Sequence, residues 1–240
     1  MNKLVKLGTT LLATLLLVGC NASGNESGNE SLPINQEESA KKMENLAASD
    51  GYYLRFKYSS EENGVKEDDS FFYYGEKGNT LWCGTTEDDG IAVVKEENSY
   101  HAYSLEEGAY VFEQTYTEEE IGDFEFVYAF VYTSWLYYGN AYDGSLKKGN
   151  DTKVAGRDCY TYTFSMSEFG SVSAFIKGAS LKYEIAVDKE LGITMKLSLT
   201  GKADGESGSF NYEVLEFVTG SKVTVPTLPA PVKADAGEEE

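Results

Sequence analysis

The sequence contains a single histidine, His101, and none of the short motifs that usually mark an active site. One histidine cannot supply a His pair for zinc, and the chain has neither a glycine-rich phosphate loop nor a nucleophile-elbow serine. Among forty acidic residues, carboxylate pairs arise by chance, so such pairs are weak evidence for glycosidase activity. The acidic stretches at 68–69 and 88–90 could bind calcium weakly, although turn formation is the commoner reason for such residues. We therefore predict no catalysis, cofactor or metal, and we place His101 on a strand surface.

Positive charge is also scarce, because 20 Lys and Arg residues stand against 40 Asp and Glu residues, for a formal net charge of −20. A surface this acidic repels nucleic acid and anionic head groups, which carry charge of the same sign. We expect no nucleic-acid partner, and we expect any attachment to a membrane to come from lipid and not from a basic patch.

The apolar run at residues 11–18 is too short for a permanent membrane-spanning helix, which needs about 20 residues. Lys3 and Lys6 precede it, and Gly19 and Cys20 follow it. The tetrapeptide Leu17-Val18-Gly19-Cys20 resembles the lipobox of bacterial lipoprotein signal peptides. The resemblance implies cleavage before Cys20, a diacylglycerol on its thiol and, often, acylation of the new amine with a fatty acid such as palmitate. It also implies an exported protein of the bacterial cell envelope, anchored to the outer side of a membrane. An ordinary secretory signal with a chance cysteine is the alternative.

The residues after Cys20 are almost all Gly, Ser, Asn and Glu, which cannot bury enough apolar surface to offset the entropy of ordering. We therefore divide the chain into a signal peptide (1–19), a flexible tether (20–35), one β domain (36–230) and an acidic tail (231–240).

Proline is rare, with four residues, while 18 Tyr and 12 Phe favour half-buried strands. A short helix is predicted over 36–48, because Ala40, Met43 and Ala47 share one stripe. Alternation then predicts a strand at 52–58, and Gly, Asn and Asp turns separate further short strands at 71–74, 80–83, 91–95 and 100–105.

The segment 117–138 fits two structures. Alternating aromatics favour a strand, but apolar residues also recur at helical spacing. Thr117 with Glu120 forms a capping-box pattern, so we predict a helix that is apolar nearly all round.

The last third has the clearest strand pattern. A hairpin is predicted from 181–187 and 193–199 with Gly192 in its turn, and a strand from Phe210 breaks phase at Val214-Leu215. Cys83 and Cys159 each fall in a predicted strand. They could form a disulfide outside the membrane, or remain as two buried thiols.

The stretches 154–162 and 183–195, with the proline-ended last strand, resemble the lipoprotein-carrier superfamily, which includes LolA/LolB-like carriers and mycobacterial lipid-carrying lipoproteins. The resemblance covers roughly residues 36–229. It implies a mainly β (α+β) fold, in which a curved antiparallel half-barrel has its concave, apolar face covered by the N-terminal helix and the central aromatic-rich helix. It also implies a lipid or other apolar ligand.

A sheet with one apolar face must cover that face with helices, a partner or a ligand. Eight apolar strand residues are candidates to line a ligand cavity, or else to fill a closed core: Tyr52, Leu54, Phe56, Tyr183, Ile185, Met195, Phe210 and Tyr212. A competing function is a surface module that binds glycan or protein through exposed Tyr53, Tyr137 and Tyr138.

Overall fold

The computed structural model describes residues 33–34, 36–86, 89–120, 147–165, 180–203 and 206–231. Within them the chain has one helix of several turns, α1 (Gln36–Ser49), and thirteen strands, with a 3-10 turn at Gly220–Lys222. The strands are β1 (Tyr52–Glu62), β2 (Val65–Lys66), β3 (Ser70–Lys77), β4 (Thr80–Thr86), β5 (Asp89–Glu96), β6 (Ser99–Glu106), β7 (Ala109–Thr117), β8 (Lys147–Lys148), β9 (Thr152–Val154), β10 (Arg157–Ser165), β11 (Ser180–Asp188), β12 (Thr194–Ala203) and β13 (Glu206–Thr219).

These strands belong to one sheet in the order β7-β6-β5-β4-β3-β1-β13-β12-β11-β10-β8, with β2 beside β1 and β9 beside β10. Strands β3 to β7 pair as an antiparallel meander, and β10 to β13 pair as a second one. The predicted class, a mainly β protein on an open antiparallel sheet, is confirmed.

By contact density the chain divides into two compact units. Of the described residues, unit 1 holds 33–34, 36–43, 56–70, 147–165, 180–203 and 206–215. Unit 2 holds 44–55, 71–86, 89–120 and 216–231. The predicted tether and acidic tail lie almost entirely outside the described residues, as does the whole signal segment with Cys20.

The predicted helix at 36–48 is confirmed as α1, and its apolar stripe is buried at Met43 and Ala47. In unit 1 the helix packs on the hairpin turn between β11 and β12. The Ser39 hydroxyl donates to the Leu191 carbonyl at 2.7 Å, and the Lys42 ammonium donates to the Glu190 carbonyl at 2.9 Å. Ser39 is fully buried, so its hydroxyl needs this acceptor.

The predicted hairpin is also confirmed, with Tyr183 opposite Leu199 and Ile185 opposite Leu197. Gly192 has φ of 73°, a left-handed conformation that glycine adopts without strain. The register shifts at Ala186/Val187, so the turn carries a bulge, as expected. Further along, Leu215 and Glu216 are both exposed, which breaks the alternation at the predicted point.

Asp188 fixes this turn from inside. Its Oδ1 accepts from the backbone N–H of Glu190 at 3.0 Å and from that of Leu191 at 2.7 Å. Arg157 donates to both carboxylate oxygens, from Nε and from a terminal nitrogen, and also bonds Glu190. The Asp188 side chain is 1% exposed, so the buried charge is compensated by a bidentate guanidinium and two backbone donors. We call this network of Arg157, Asp188, Glu190 and the Leu191 backbone the turn lock.

The helix predicted for 117–138 starts as expected. The Thr117 N–H donates to Glu120 Oε2 at 2.8 Å, and the Glu120 N–H donates back to Thr117 Oγ1 at 3.4 Å, which is the reciprocal geometry of a capping box. These bonds lower the pKa of Glu120, because they favour its charged form. Residues 118–120 are helical, and the rest of the prediction falls on residues outside the described ones.

Four strands were not predicted. The longest is β7 (Ala109–Thr117), and the others are the two- and three-residue strands β2, β8 and β9, which lie where the sequence indicated a turn or a loop. In the described part of the chain, no helix is long and apolar enough to span a membrane.

Candidate functional site: the apolar face of unit 1

The eight candidate cavity residues divide between the units. Tyr52 and Leu54 belong to unit 2, while the other six belong to unit 1 and come together there on four neighbouring strands. Seven of the eight are at most 3% exposed, and Phe210 is half-buried.

Two rows of apolar side chains cross unit 1 on one side of its strands. Residues directly opposite each other in antiparallel strands share a face, and so do alternate residues of one strand. The pairing of β10 to β13 therefore builds the rows Tyr212-Leu197-Ile185-Tyr162 and Phe210-Leu199-Tyr183. Ring contacts with β13 add Phe56 to the first row and Tyr58 to the second, and we call these nine residues the apolar face.

Ring contacts join β1 to β13 in this face. The Phe56 and Tyr212 ring centroids are 5.4 Å apart, and those of Tyr58 and Phe210 are also 5.4 Å apart. Tyr58 lies 5.6 Å from Phe56 and 5.9 Å from Tyr212, so the four rings form one continuous cluster. Burial raises the pKa of Tyr212, because its phenolate would lose hydration in this apolar setting. The face is therefore continuous across at least five strands.

Burial decreases along the apolar face. The row that ends at Tyr162 is buried throughout, whereas Tyr58, Phe210 and Leu199 in the second row are half-buried. The next position in β12 and β13 is a glycine on each strand, Gly201 opposite Gly208. The face thus passes from a packed row, through half-buried rings, to a pair of residues without side chains.

The opposite side of the same strands is polar. A groove of about 230 Å³ lies there, lined by Lys57 and Ser59 of β1, Lys196 of β12, and Asn211, Tyr212 and Glu213 of β13. Both lysines in it already have carboxylate partners, since Lys57 lies 3.4 Å from Asp69 and Lys196 lies 3.4 Å from Glu213. Unit 1 therefore presents one apolar and one charged face.

Cations collect where the apolar face meets strand β8, at the end of the sheet order. Lys148 is opposite Tyr162 and so lies on the same side of the strands. The Lys148 and Lys189 ammonium nitrogens lie 4.6 Å and 4.7 Å from the ring centroid of Tyr160, which alternates with Tyr162 on β10. The sequence predictions overlooked these three residues, and the local excess of lysine in an acidic chain was the available signal.

In unit 2, Tyr52 and Tyr74 stack with ring centroids 5.9 Å apart, and Phe217 stacks on Tyr52 at 6.4 Å. Both tyrosine hydroxyls donate to Glu76 Oε2, at 2.8 Å from Tyr52 and 3.3 Å from Tyr74. Burial and the nearby carboxylate raise the pKa of both tyrosines. Tyr52 is thus part of a packed, hydrogen-bonded cluster.

Tyr53, which was proposed for a surface platform, points to the other side of β1 and is half-buried. It stacks on Tyr73 at 6.4 Å and packs against a second core of unit 2. That core is centred on Trp82, Ala92, Tyr103 and Val223. The C-terminal segment contributes Val223 and Leu228 to it. Tyr137 and Tyr138 lie outside the described residues.

Glycines make room for two of these rings. A Cβ on Gly75 would lie 2.2 Å from the Trp82 ring, and a Cβ on Gly84 would lie 2.5 Å from the Tyr73 hydroxyl. Both rings therefore lie directly on the backbone of a neighbouring strand.

Cys83 and Cys159 are free thiols in this structure, each buried in its strand. Burial, with Asp89 nearby, raises the pKa of Cys83 to about 12. Burial and Asp188 raise the pKa of Cys159 to about 11. Thiols with raised pKa values are poor nucleophiles at neutral pH.

His101 lies in a strand, β6, as predicted, but it is buried and not on the surface. Its Nδ1 is 2.8 Å from Thr115 Oγ1 on the overlooked strand β7, and its Nε2 is 3.2 Å from Glu96. Among the described residues no group of three His, Cys, Asp or Glu side chains is placed to hold a metal ion. Asp69 instead pairs with Lys57 and Lys66, and Asp88 lies outside the described residues.

No protein-family model matches the chain, and neither does any curated protein. Solved structures with similarity include LprF from Mycobacterium bovis, at 10% identity and a TM-score of 0.31, over 81% of this chain and 98% of LprF. A LolA superfamily protein from Nitrosomonas europaea matches at 10% identity and a TM-score of 0.25, over 82% of this chain and 96% of its own. The protein PNGF-II matches at 8% identity and a TM-score of 0.29, but this chain spans 29% of its length.

At these identities and TM-scores, the three structures do not establish a family or a function for this chain.

Proposed function

We propose that this protein is a non-catalytic lipoprotein of the bacterial cell envelope, tethered through lipid on Cys20, that binds or sequesters a lipid or other apolar ligand on the apolar face of unit 1. The observation that carries the proposal is the face itself, nine apolar side chains in two cross-strand rows. Its second row leaves Tyr58, Phe210 and Leu199 half-buried beside the Gly201–Gly208 pair. An acyl chain that covers such a surface gains about 25 cal/mol for each Å² removed from water.

The tether gives the binding a location. A domain attached to a membrane by its own lipid cannot diffuse between compartments, so it receives or holds its ligand within reach of residues 20–35. The anchor is tested by Cys20→Ala followed by membrane fractionation. We expect the variant to leave the membrane fraction, and its continued retention there would contradict the anchor.

Ligand binding is tested with a fluorescent fatty alcohol added to the full chain carrying Cys20→Ala, which avoids detergent. Leu199→Asn places an amide on the half-buried part of the apolar face, and we expect about tenfold weaker binding, equivalent to about 1.4 kcal/mol. Thr200→Asn is the matched control, since Thr200 is the next residue on the same strand, exposed and on the opposite side.

Equal affinity in both variants would place binding elsewhere, and no binding to the parent chain would contradict the proposed function. The competing function, a tyrosine platform for glycan or protein, has less support, because Tyr53 is packed into a core of unit 2.

A further inference from the structure

The charge at the β8 end of the apolar face differs from that of the rest of the chain. Residues 147–158 and 188–190 carry five Lys or Arg residues and four Asp or Glu residues, whereas the whole chain has 20 and 40. An anion approaching this end of unit 1 therefore meets a local environment that does not repel it, despite the net charge of −20.

Each carboxylate in this region already has a cation. Asp151 bonds Lys189, Asp158 lies 2.9 Å from Lys153, and Asp188 and Glu190 both bond Arg157. Two lysines remain, Lys147 and Lys148, and none of the described carboxylates lies within ion-pairing distance of either. Both are exposed, so each ammonium is accessible to an external anion.

The two lysines point to opposite sides of β8. Lys148 is opposite Tyr162, a buried residue of the apolar face, and Lys147 is opposite Thr163 on the other side. The Lys148 ammonium extends to 4.6 Å from the Tyr160 ring centroid, where Lys189 also lies at 4.7 Å. A pair of ammonium groups over one ring therefore borders the buried row of the apolar face, where that row ends at Tyr162. Lys189 is bonded to Asp151, and Lys148 remains available.

We propose that Lys148, with Lys189 beside it, binds the anionic head of an amphiphile whose chain lies on the apolar face of unit 1. The inference rests on the proposed function and specifies its ligand class, a molecule with one acyl chain and a carboxylate or phosphate head. Apolar side chains and an available cation, Lys148, on the same side of the strands are complementary to the two parts of such a molecule. A neutral lipid could not form an ion pair with the Lys148 ammonium.

Edge protection is the simpler explanation for lysines on a terminal strand, because charge there prevents pairing with other chains. That role does not depend on which side of the strand the lysine occupies. Ligand binding does depend on it, so Lys147 and Lys148 form a matched pair of test positions.

The experiment compares oleate and oleyl phosphate with oleyl alcohol as competitors of the fluorescent fatty alcohol, on the full chain carrying Cys20→Ala, at low ionic strength. We expect at least one anionic competitor to bind about fivefold more tightly than the alcohol, the size expected of a single accessible ion pair. Added salt should reduce that preference, and the more strongly favoured head identifies carboxylate or phosphate as the natural group.

Lys148→Gln should remove the preference and leave alcohol binding unchanged, while Lys147→Gln should change neither. Equal affinity for all three competitors, or equal effects of the two substitutions, overturns the inference and leaves the proposed function in place. If none of the competitors binds, the proposed function fails and this inference fails with it.

Discussion

Both units have strands rich in aromatic residues, and they differ in how these side chains are covered. Unit 1 is apolar on one side of its strands and charged on the other, with a polar groove opposite the apolar face. Unit 2 is apolar on both sides, because Tyr52 and Tyr74 point one way while Tyr53, Tyr73 and Trp82 point the other way. In unit 2 the chain covers the second side itself, with Val223 and Leu228 of the C-terminal segment.

This difference favours unit 1 over unit 2 as the place for the proposed ligand. In unit 2 the rings are held by partners within the chain, through the Glu76 carboxylate on one side and the C-terminal segment on the other. In unit 1 polar interactions concentrate at the turn lock, and the apolar face becomes less buried away from it. We therefore expect unit 1 to depend on a charged network and unit 2 on ring packing.

The largest expected effect breaks the turn lock in unit 1. Arg157→Met removes the guanidinium and leaves the Asp188 carboxylate buried with two backbone donors alone, which we expect to cost about 3–5 kcal/mol. Lys153→Met is the control, because both side chains of the Lys153–Asp158 pair are exposed and such a pair contributes little to stability. Urea unfolding midpoints measure both, and similar midpoints for the two variants would show that the lock is dispensable.

A smaller effect is expected from the ring packing of unit 2. Gly75→Ala would place a methyl group 2.2 Å from the Trp82 ring, so the indole must move, at a cost of about 1–3 kcal/mol. Tryptophan fluorescence reports the movement and urea unfolding reports the cost. Adding Trp82→Phe supplies the control, since a smaller ring should make the alanine less costly. If the effects of the two substitutions on the free energy of unfolding were strictly additive, the close contact between the Trp82 ring and Gly75 would be contradicted.

A further effect, seen only at alkaline pH, concerns the buried thiols. The pKa of Cys83 rises from 9.0 to about 12 on folding, so the unfolded chain releases this proton first as pH increases. The contribution of Cys83 to stability is therefore complete below pH 9.0 and is lost between pH 9.0 and about 12. Cys159, with a folded pKa of about 11, should lose its contribution over a narrower range.

Cys83→Ala should accordingly flatten the fall in the free energy of unfolding above pH 9.0 more than Cys159→Ala does. The reverse order would show that folding raises the pKa of Cys159 more than that of Cys83, against this expectation. Buried tyrosines such as Tyr52 and Tyr74 also have raised pKa values, so their ionisation lowers the stability of the fold at alkaline pH as well. The comparison therefore uses the difference in the free energy of unfolding between each variant and its parent.

Local patterns in the sequence predicted much of the fold. The stripe of Met43 and Ala47 identified α1, and the alternation around Gly192 identified the β11/β12 hairpin with its bulge. Strands β8 and β9 could not be found this way. They are two and three residues long, which is too short for an alternation of apolar and polar residues to be recognised.

Longer-range contacts set the rest. The burial of His101 could not be predicted from its neighbours in the sequence. Its partner Thr115 lies on β7, a strand that was not predicted and whose pairing with β6 shifts register at Ala102/Tyr103. Arg157 and Asp188 are 31 residues apart, so the turn motif was visible but its cation was not. Of the eight predicted cavity residues, the alternation identified seven that are buried, with Phe210 half-buried. It could not assign Tyr52 and Leu54 to a different unit from the other six.

Native mass spectrometry of the gently purified full chain carrying Cys20→Ala tests the central claim most directly. We predict a bound population whose added mass matches one single-chain anionic amphiphile. That population should be depleted in Leu199→Asn and retained in Thr200→Asn. Two results together would contradict the account: a spectrum with the ligand-free mass alone, and no displacement of the fluorescent fatty alcohol by added oleate, oleyl phosphate or oleyl alcohol.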